Sequence, residues 1–247
     1  MMKRIFLLIA IFVSVFKAQA QQVSYFVQGD ADDWQLFMSQ KVISDLEAGG
    51  KVVLITLTAG DEGNGVNAFN GSSIPYYLAK ERGAIYSSKF VGDFFNLTSP
   101  NNNYLMPSAQ PVVLVGKSLT KYVYGNSSGT GTIVNYFFHL PDGKADGTGF
   151  SGTGNVSLKK LKQGIGGGGI SSISAVGHTS GEAAYTFTWT ELKNTIYAII
   201  LTEKGTDLQV WLNTSSLNST LPGNPVYNPN DHSDHIYSSL SRLSKLF

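Results

Sequence analysis

The chain has no cysteine among its 247 residues. Disulfides, thiolate-bound zinc, thiol nucleophiles and a cysteine-linked lipid anchor are therefore all excluded. Charge is also scarce, with Asp, Glu, Lys and Arg together at 14%, against about 25% in an ordinary soluble protein. No run of basic residues is longer than two, which argues against nucleic acid as a partner. What is plentiful is glycine, 27 residues. Together with Ser, Thr and Asn, it must supply most of the surface that Lys and Glu usually provide.

The N-terminus has the three parts of an export leader. Lys3 and Arg4 precede an apolar run over residues 5–16, and Ala18-Gln19-Ala20 is an A-x-A cleavage site. The apolar run is too short for a membrane span, which needs about 20 residues. We expect residues 1–20 to be a signal peptide and residues 21–247 a single domain, secreted or periplasmic, with no stable membrane span. Cleavage removes Lys3, Arg4 and Lys17 and turns the formal charge from +1 to −2.

Apolar runs over residues 23–27, 51–58 and 133–140 read as strands, and the middle one (KVVLITLT) is continuously apolar and β-branched. Continuous runs of this kind suit a strand covered on both faces. A helical pattern over 34–48 links the first two, giving a βαβ unit with a parallel pair. Further helices are expected over 74–90, 156–163, 190–201 and 231–246, and shorter strands over 112–115 and 208–212. Thr188 or Thr190 is the expected cap of the 190–201 helix, and Asp231 that of the last one. The fold class is α/β.

Gly164 to Gly169 formally contains G-x-G-x-x-G, but it follows a lysine-rich helical segment rather than a strand. It reads as a flexible loop, not a dinucleotide site. His139 lies within an apolar strand and reads as a hydrogen-bonded core histidine. His178, in a Gly/Ser/Thr segment, reads as exposed.

Two clusters carry more chemistry. Asp30, Asp32 and Asp33 follow the first strand, at the edge where open α/β sheets bind ligands. Three carboxylates in four residues repel unless a cation or hydrogen bonds offset them. The other reading is an aspartate-rich helix start. His232 and His235 stand three residues apart in Asp231-His232-Ser233-Asp234-His235. At that spacing both imidazoles can face one cleft, or simply decorate a solvated helix end. Taken together, the clusters suggest one metal site. Carboxylate and imidazole donors without thiolate suit zinc, and equally manganese, iron or cobalt.

On these residues the chain resembles the PIG-L/LmbE-like de-N-acetylase family. Gly29-Asp30-Ala31-Asp32-Asp33 is similar to the family's A-H-P-D-D, and His232-Ser233-Asp234-His235 to its H-S-D-H. Between them, Thr56 to Gly63, Ala79-Lys80-Glu81-Arg82-Gly83-Ala84, Leu140-Pro141-Asp142-Gly143 and Thr186 to Leu192 match further family stretches in order.

The resemblance implies a Rossmann-like open, mostly parallel sheet with helices on both faces. It also implies metal-dependent removal of an N-acetyl group from an N-acetylglucosamine-type sugar or conjugate. Residue by residue, it puts the metal ligands on Asp30, Asp33 and His235, the base on Asp32, and an oxyanion-stabilising imidazole on His232. An aspartate, Asp30, stands where the family has histidine, so the ion would carry less net positive charge. The chain stops at Phe247, where family members commonly continue, which reads as a C-terminal truncation. These departures carry a second expectation, a catalytically weak or inactive relative that is a secreted carbohydrate-binding protein.

Overall fold

The computed structural model describes residues 22–68, 71, 73–95, 107–125, 131–177, 185–205, 210–214, 219–221, 224–226 and 231–238. The expected leader, His178 and the second half of the expected last helix lie outside the described residues. Among the described residues no helix is long and apolar enough to cross a membrane.

The three apolar runs form β1 (Val23–Gln28), β2 (Lys51–Thr58) and β5 (Thr132–Leu140), all parallel. Alternation along each strand feeds two separate cores, because successive side chains point to opposite faces. Val23, Tyr25 and Val27 of β1 join one core, and Phe26 joins the other.

The expected helix over 34–48 forms in two parts. Trp34–Met38 is a π-helical turn, and α1 (Ser39–Glu47) continues from it. The wider turn begins where the Asp32 carbonyl accepts from both Gln35 N (3.1 Å) and Leu36 N (3.2 Å). It keeps Trp34 and Met38 both buried against the sheet. α2 (Tyr76–Phe94) covers the same face. The opposite face is covered by α3 (Leu158–Gln163) and α4 (Trp189–Lys204).

α4 buries Leu192, Ile196, Ile199 and Ile200, a stripe at helical spacing. Of the two candidate caps it uses Thr188. Glu191 N donates to Thr188 Oγ1 (3.2 Å), and Thr188 N donates to Glu191 Oε2 (2.8 Å), a reciprocal capping box.

A hairpin not expected in full adds two antiparallel strands, β3 (Gln110–Leu114) and β4 (Lys117–Gly125). Its two-residue turn, Val115-Gly116, has positive φ at both positions (51° and 72°), as a tight hairpin of native twist requires. β6 (Ile173–Ser174) and β7 (Thr186–Phe187) form a small antiparallel pair. β8 (Val210–Thr214) pairs with β1 in parallel. A further antiparallel pair is formed by β9 (Ser219–Leu221) and β10 (Asn224–Val226). The last helix, α5, is described over Ser233–Ser238.

The result is a six-stranded, mostly parallel sheet in the order β3-β4-β5-β2-β1-β8, with helices on both faces. The chain moves from β1 through β2 to β5 in one direction, then returns to the other side of β1 for β8. In open α/β sheets the crevice at such a reversal, beyond the carboxyl ends of the strands, is where ligands bind.

His139, next to last in β5, is a buried core residue, paired through Nε2 with the buried carboxylate of Glu81 from α2. Its φ of 51° is in the left-handed region, so the chain turns sharply there toward Asp142.

Candidate metal centre

Three adjacent parallel strands each release an aspartate onto the same edge. Asp30 follows β1, Asp61 follows β2 and Asp142 follows β5. α5 and the two residues before it form the remaining wall, bringing Asp231, His232, Asp234 and His235. The turn after β1 and the start of α5 therefore meet at this edge of the sheet.

Asp61 is buried and holds the loops together. Its Oδ1 accepts from Asp142 N (2.9 Å) and its Oδ2 from Gly65 N (2.8 Å). Burial pushes its carboxyl up, and the two backbone donors pull it back. Asp142 Oδ1 in turn accepts from Lys144 N (2.8 Å).

Two aspartate–histidine groups face this edge. In the first, Asp33 Oδ2 accepts from the backbone N–H groups of Gly29 (2.9 Å) and Asp30 (3.0 Å), which locks the strand-to-helix turn. Its other oxygen, Oδ1, lies 3.1 Å from His235 Nε2. Behind the imidazole, Asp231 Oδ1 lies 2.9 Å from His235 Nδ1. Burial depresses the basicity of His235, but the hydrogen bonds and charges of Asp33 and Asp231 prevail and carry its pKa to about 9.

The second group is Asp142, His232 and Asp234, whose ligand atoms all lie within 4.8 Å of one another. Among the described residues this is the group of three that can hold a metal ion. His232 Nε2 is 4.0 Å from Asp142 Oδ1. Asp234 is fully enclosed, and Gly143 N donates to its Oδ2 (2.8 Å). A Cβ on Gly143 would meet Asp234 Oδ1 at 2.4 Å, so only glycine lets this backbone approach so closely. Burial raises the Asp234 carboxyl well above its ordinary value, against the pull of the Gly143 N–H. Burial lowers the His232 imidazole, outweighing the nearby Asp142.

Asp30 stands beside both groups. Its carboxyl packs against Gly60, where a Cβ would come within 2.1 Å of Oδ1. That oxygen is buried and has no hydrogen-bond partner. Burial raises the pKa of Asp30 to about 7; Lys80 lowers it, and Asp33, Asp142 and Asp32 add to the rise. Lys80 Nζ, from α2, is 3.9 Å from both Asp30 Oδ2 and Asp32 Oδ2. The side chain of Asp32 is 53% exposed, at the outer rim.

The sequence-derived ligands are thus divided. Asp33 and His235 meet directly, while Asp30 is linked to Asp33 through its backbone N–H. Asp142 and Asp234 were not named as ligands from the sequence. The signal that finds Asp142 is the repeated aspartate two or three residues past the end of adjacent parallel strands; Asp234 lies inside the last helix, between His232 and His235.

The residues fit a divalent cation. Two ligands of a tetrahedral zinc, each bonded at about 2.0–2.2 Å, are about 3.4 Å apart. The Asp33–His235 separation of 3.1 Å is that of the hydrogen bond that already joins them, so a cation would take the place of its proton. An imidazole with a carboxylate behind its other nitrogen is also the usual arrangement of a metal-binding histidine. The orphaned Asp30 Oδ1 and the crowding of carboxyls about one cationic side chain, Lys80, point the same way.

No family model, curated protein or solved structure matches this chain.

Proposed function

We propose that this protein is a metal-dependent hydrolase that removes an N-acetyl group from an N-acetylglucosamine-type sugar or conjugate. In this reading the sheet is Rossmann-like, of the PIG-L/LmbE kind, and the protein is exported. The supporting observation is the meeting of two aspartate–histidine groups and an unpartnered Asp30 oxygen at the sheet's reversal point.

Asp33 and His235, with Asp30, would hold the ion; Asp142 and Asp234 offer adjoining carboxyl donors. The preferred ion is zinc, with manganese, iron or cobalt also suited to these donors. When bound, such an ion polarises an amide carbonyl and makes a water acidic.

The chain's own residues then divide the remaining work. Asp32, open at the rim, accepts a proton from the attacking water. His232 is held neutral by burial at neutral pH, and its Nδ1 accepts from Asp234 N (3.3 Å). Its hydrogen is therefore on Nε2, which donates to a developing oxyanion as a neutral imidazole. Lys80, kept charged by Asp30 and Asp32 although burial opposes it, orients Asp32.

The test is metal analysis of the purified protein together with acetate release from N-acetylglucosamine glycosides. One equivalent of metal is expected, with activity stopped by EDTA and reduced at least about 100-fold by Asp32→Asn. Absence of bound metal at micromolar zinc or manganese would overturn the reading.

One observation favours the second reading, a weak or inactive carbohydrate-binding relative. Lys80 lies close enough to Asp30 and Asp32 to offset part of their charge without an ion. Sugar binding unaffected by Asp32→Asn, with no acetate released, would decide for it.

A further inference from the structure

A groove leaves the candidate metal centre and runs between the two helices on one face of the sheet. Near the centre it is a cavity of about 350 Å³, lined by Asp32, Tyr76, Lys80 and Gly83 among others. Beyond it lies a cavity of about 430 Å³, lined by Trp34, Ile43, Tyr86 and Phe90 among others. Gln35 and Ser87 line both cavities, so the two adjoin.

The path follows from helical spacing. Lys80, Gly83, Ser87 and Phe90 recur every three or four residues and form one stripe of α2. From Tyr76 to Phe90 that stripe extends about 21 Å.

The lining changes character along this length. The near end carries a carboxyl, an ammonium and a phenol. The far end carries Ile43, with Tyr86 and Phe90 at 60% and 72% exposure. Exposed aromatics at the end of a groove are not needed by either core. Midway, the carboxamide oxygen of Gln35 is buried without a hydrogen-bond partner. Gly83 stands inside α2, where glycine weakens a helix, yet a Cβ there would meet nothing within 4 Å. Packing does not call for glycine at this position; its small size keeps the groove open.

We propose that this groove is a substrate subsite for an apolar aglycone. The amino sugar occupies the Asp32–Lys80 end, and an alkyl or aryl group joined to it lies toward Ile43 and Phe90. The identity of the polar head rests on the hydrolase reading above; the apolar arm of the groove stands on its own lining. A largely apolar cleft with a few polar groups at one end is the usual form of a small-molecule site.

The experiment compares octyl and methyl N-acetyl-β-glucosaminide by calorimetry, on the full chain with micromolar zinc and below the micelle concentration. The octyl glycoside is expected to bind at least tenfold tighter, since each buried methylene adds to affinity. Ile43→Glu puts a charge into the far cavity and should remove that preference while leaving methyl glycoside binding within twofold. Phe90→Ser, at the exposed far end, should weaken only the octyl glycoside. Equal affinity for the two glycosides, or an octyl preference that survives Ile43→Glu, overturns the proposal.

Acetate release is scored separately. An octyl preference without acetate keeps the groove and refutes the hydrolase. Equal turnover of both glycosides, unchanged by Ile43→Glu, keeps the hydrolase and refutes the groove.

Discussion

Replacing Asp30 by asparagine should stabilise the metal-free protein, although it alters a residue of the candidate site. The Asp30 carboxyl is buried among other carboxyls, and its pKa rises from 3.8 to about 7. A raised carboxyl is a penalty on folding. It is absent below pH 3.8, where folded and unfolded chains are both protonated. It grows between pH 3.8 and 7 and is complete above that. A rise of that size corresponds to about 4 kcal/mol at most. With 25% of the side chain exposed, a gain of about 2–4 kcal/mol is expected for Asp30→Asn at pH 8. Asparagine is nearly isosteric, and the Oδ1 it replaces forms no hydrogen bond. For a domain of this size the gain corresponds to a melting temperature higher by roughly 5–15 °C. The assay is thermal unfolding of both proteins in EDTA at pH 4 and pH 8, then in zinc at pH 8. The difference should vanish at pH 4 and reverse with zinc, because the neutral amide is the poorer ligand. A variant no more stable than wild type in EDTA at pH 8 would show that the carboxyl is not electrostatically strained, and the case for a cation beside it would fail.

Other outcomes follow from the same geometry. Metal affinity, measured by calorimetry from pH 6 to 9, should climb toward pH 9 because the His235 imidazolium must lose its proton to become a ligand. In EDTA, the stability contributed by its pairing with Asp33 and Asp231 is complete below pH 6.5 and declines toward pH 9. Asp234→Ala leaves the buried Gly143 N–H without its acceptor; at pH 4, where the buried carboxyl is protonated and carries little burial penalty, it should cost about 1–3 kcal/mol in urea unfolding. Asp30→His, which restores the imidazole of the resembled family, should raise zinc affinity in a competition assay with a chromogenic chelator. Thr188→Ala removes the α4 cap and should lower stability by about 1 kcal/mol in calorimetric melting, without changing metal content.

The parallel strands were legible because burial on both faces requires continuous apolar runs, and 51–58 and 133–140 are such runs. β4 was not, because Lys117, Ser118 and Lys121 break its apolar pattern and the turn at Val115-Gly116 lacks the Asn-Gly or Asp-Gly signature. The π-helical turn at Trp34 was hidden because its apolar spacing also suits an α-helix. At the site, Asp30, Asp32, Asp33, His232 and His235 stood out as local clusters. Asp61, Asp142 and Asp234 did not, since each is a single aspartate in a turn or motif until strand order brings them to one edge. The Lys80 position depended on helix packing across the sheet, which no local pattern encodes.

The β3–β4 hairpin bears on how this protein behaves in a crowd. Without it the sheet would end at β5, a nine-residue strand with a bare row of backbone donors and acceptors. Such a row invites another chain to add itself. Among the described residues, the hairpin moves the open edge out to β3, which contains Pro111. Proline survives in a strand only where its missing N–H would face away from the partner. The outer rim therefore lacks a donor where an intruding strand would dock. A copy with Pro111→Val regains that donor beside the exposed Val113 and gives the sheet a place to grow from one molecule to the next.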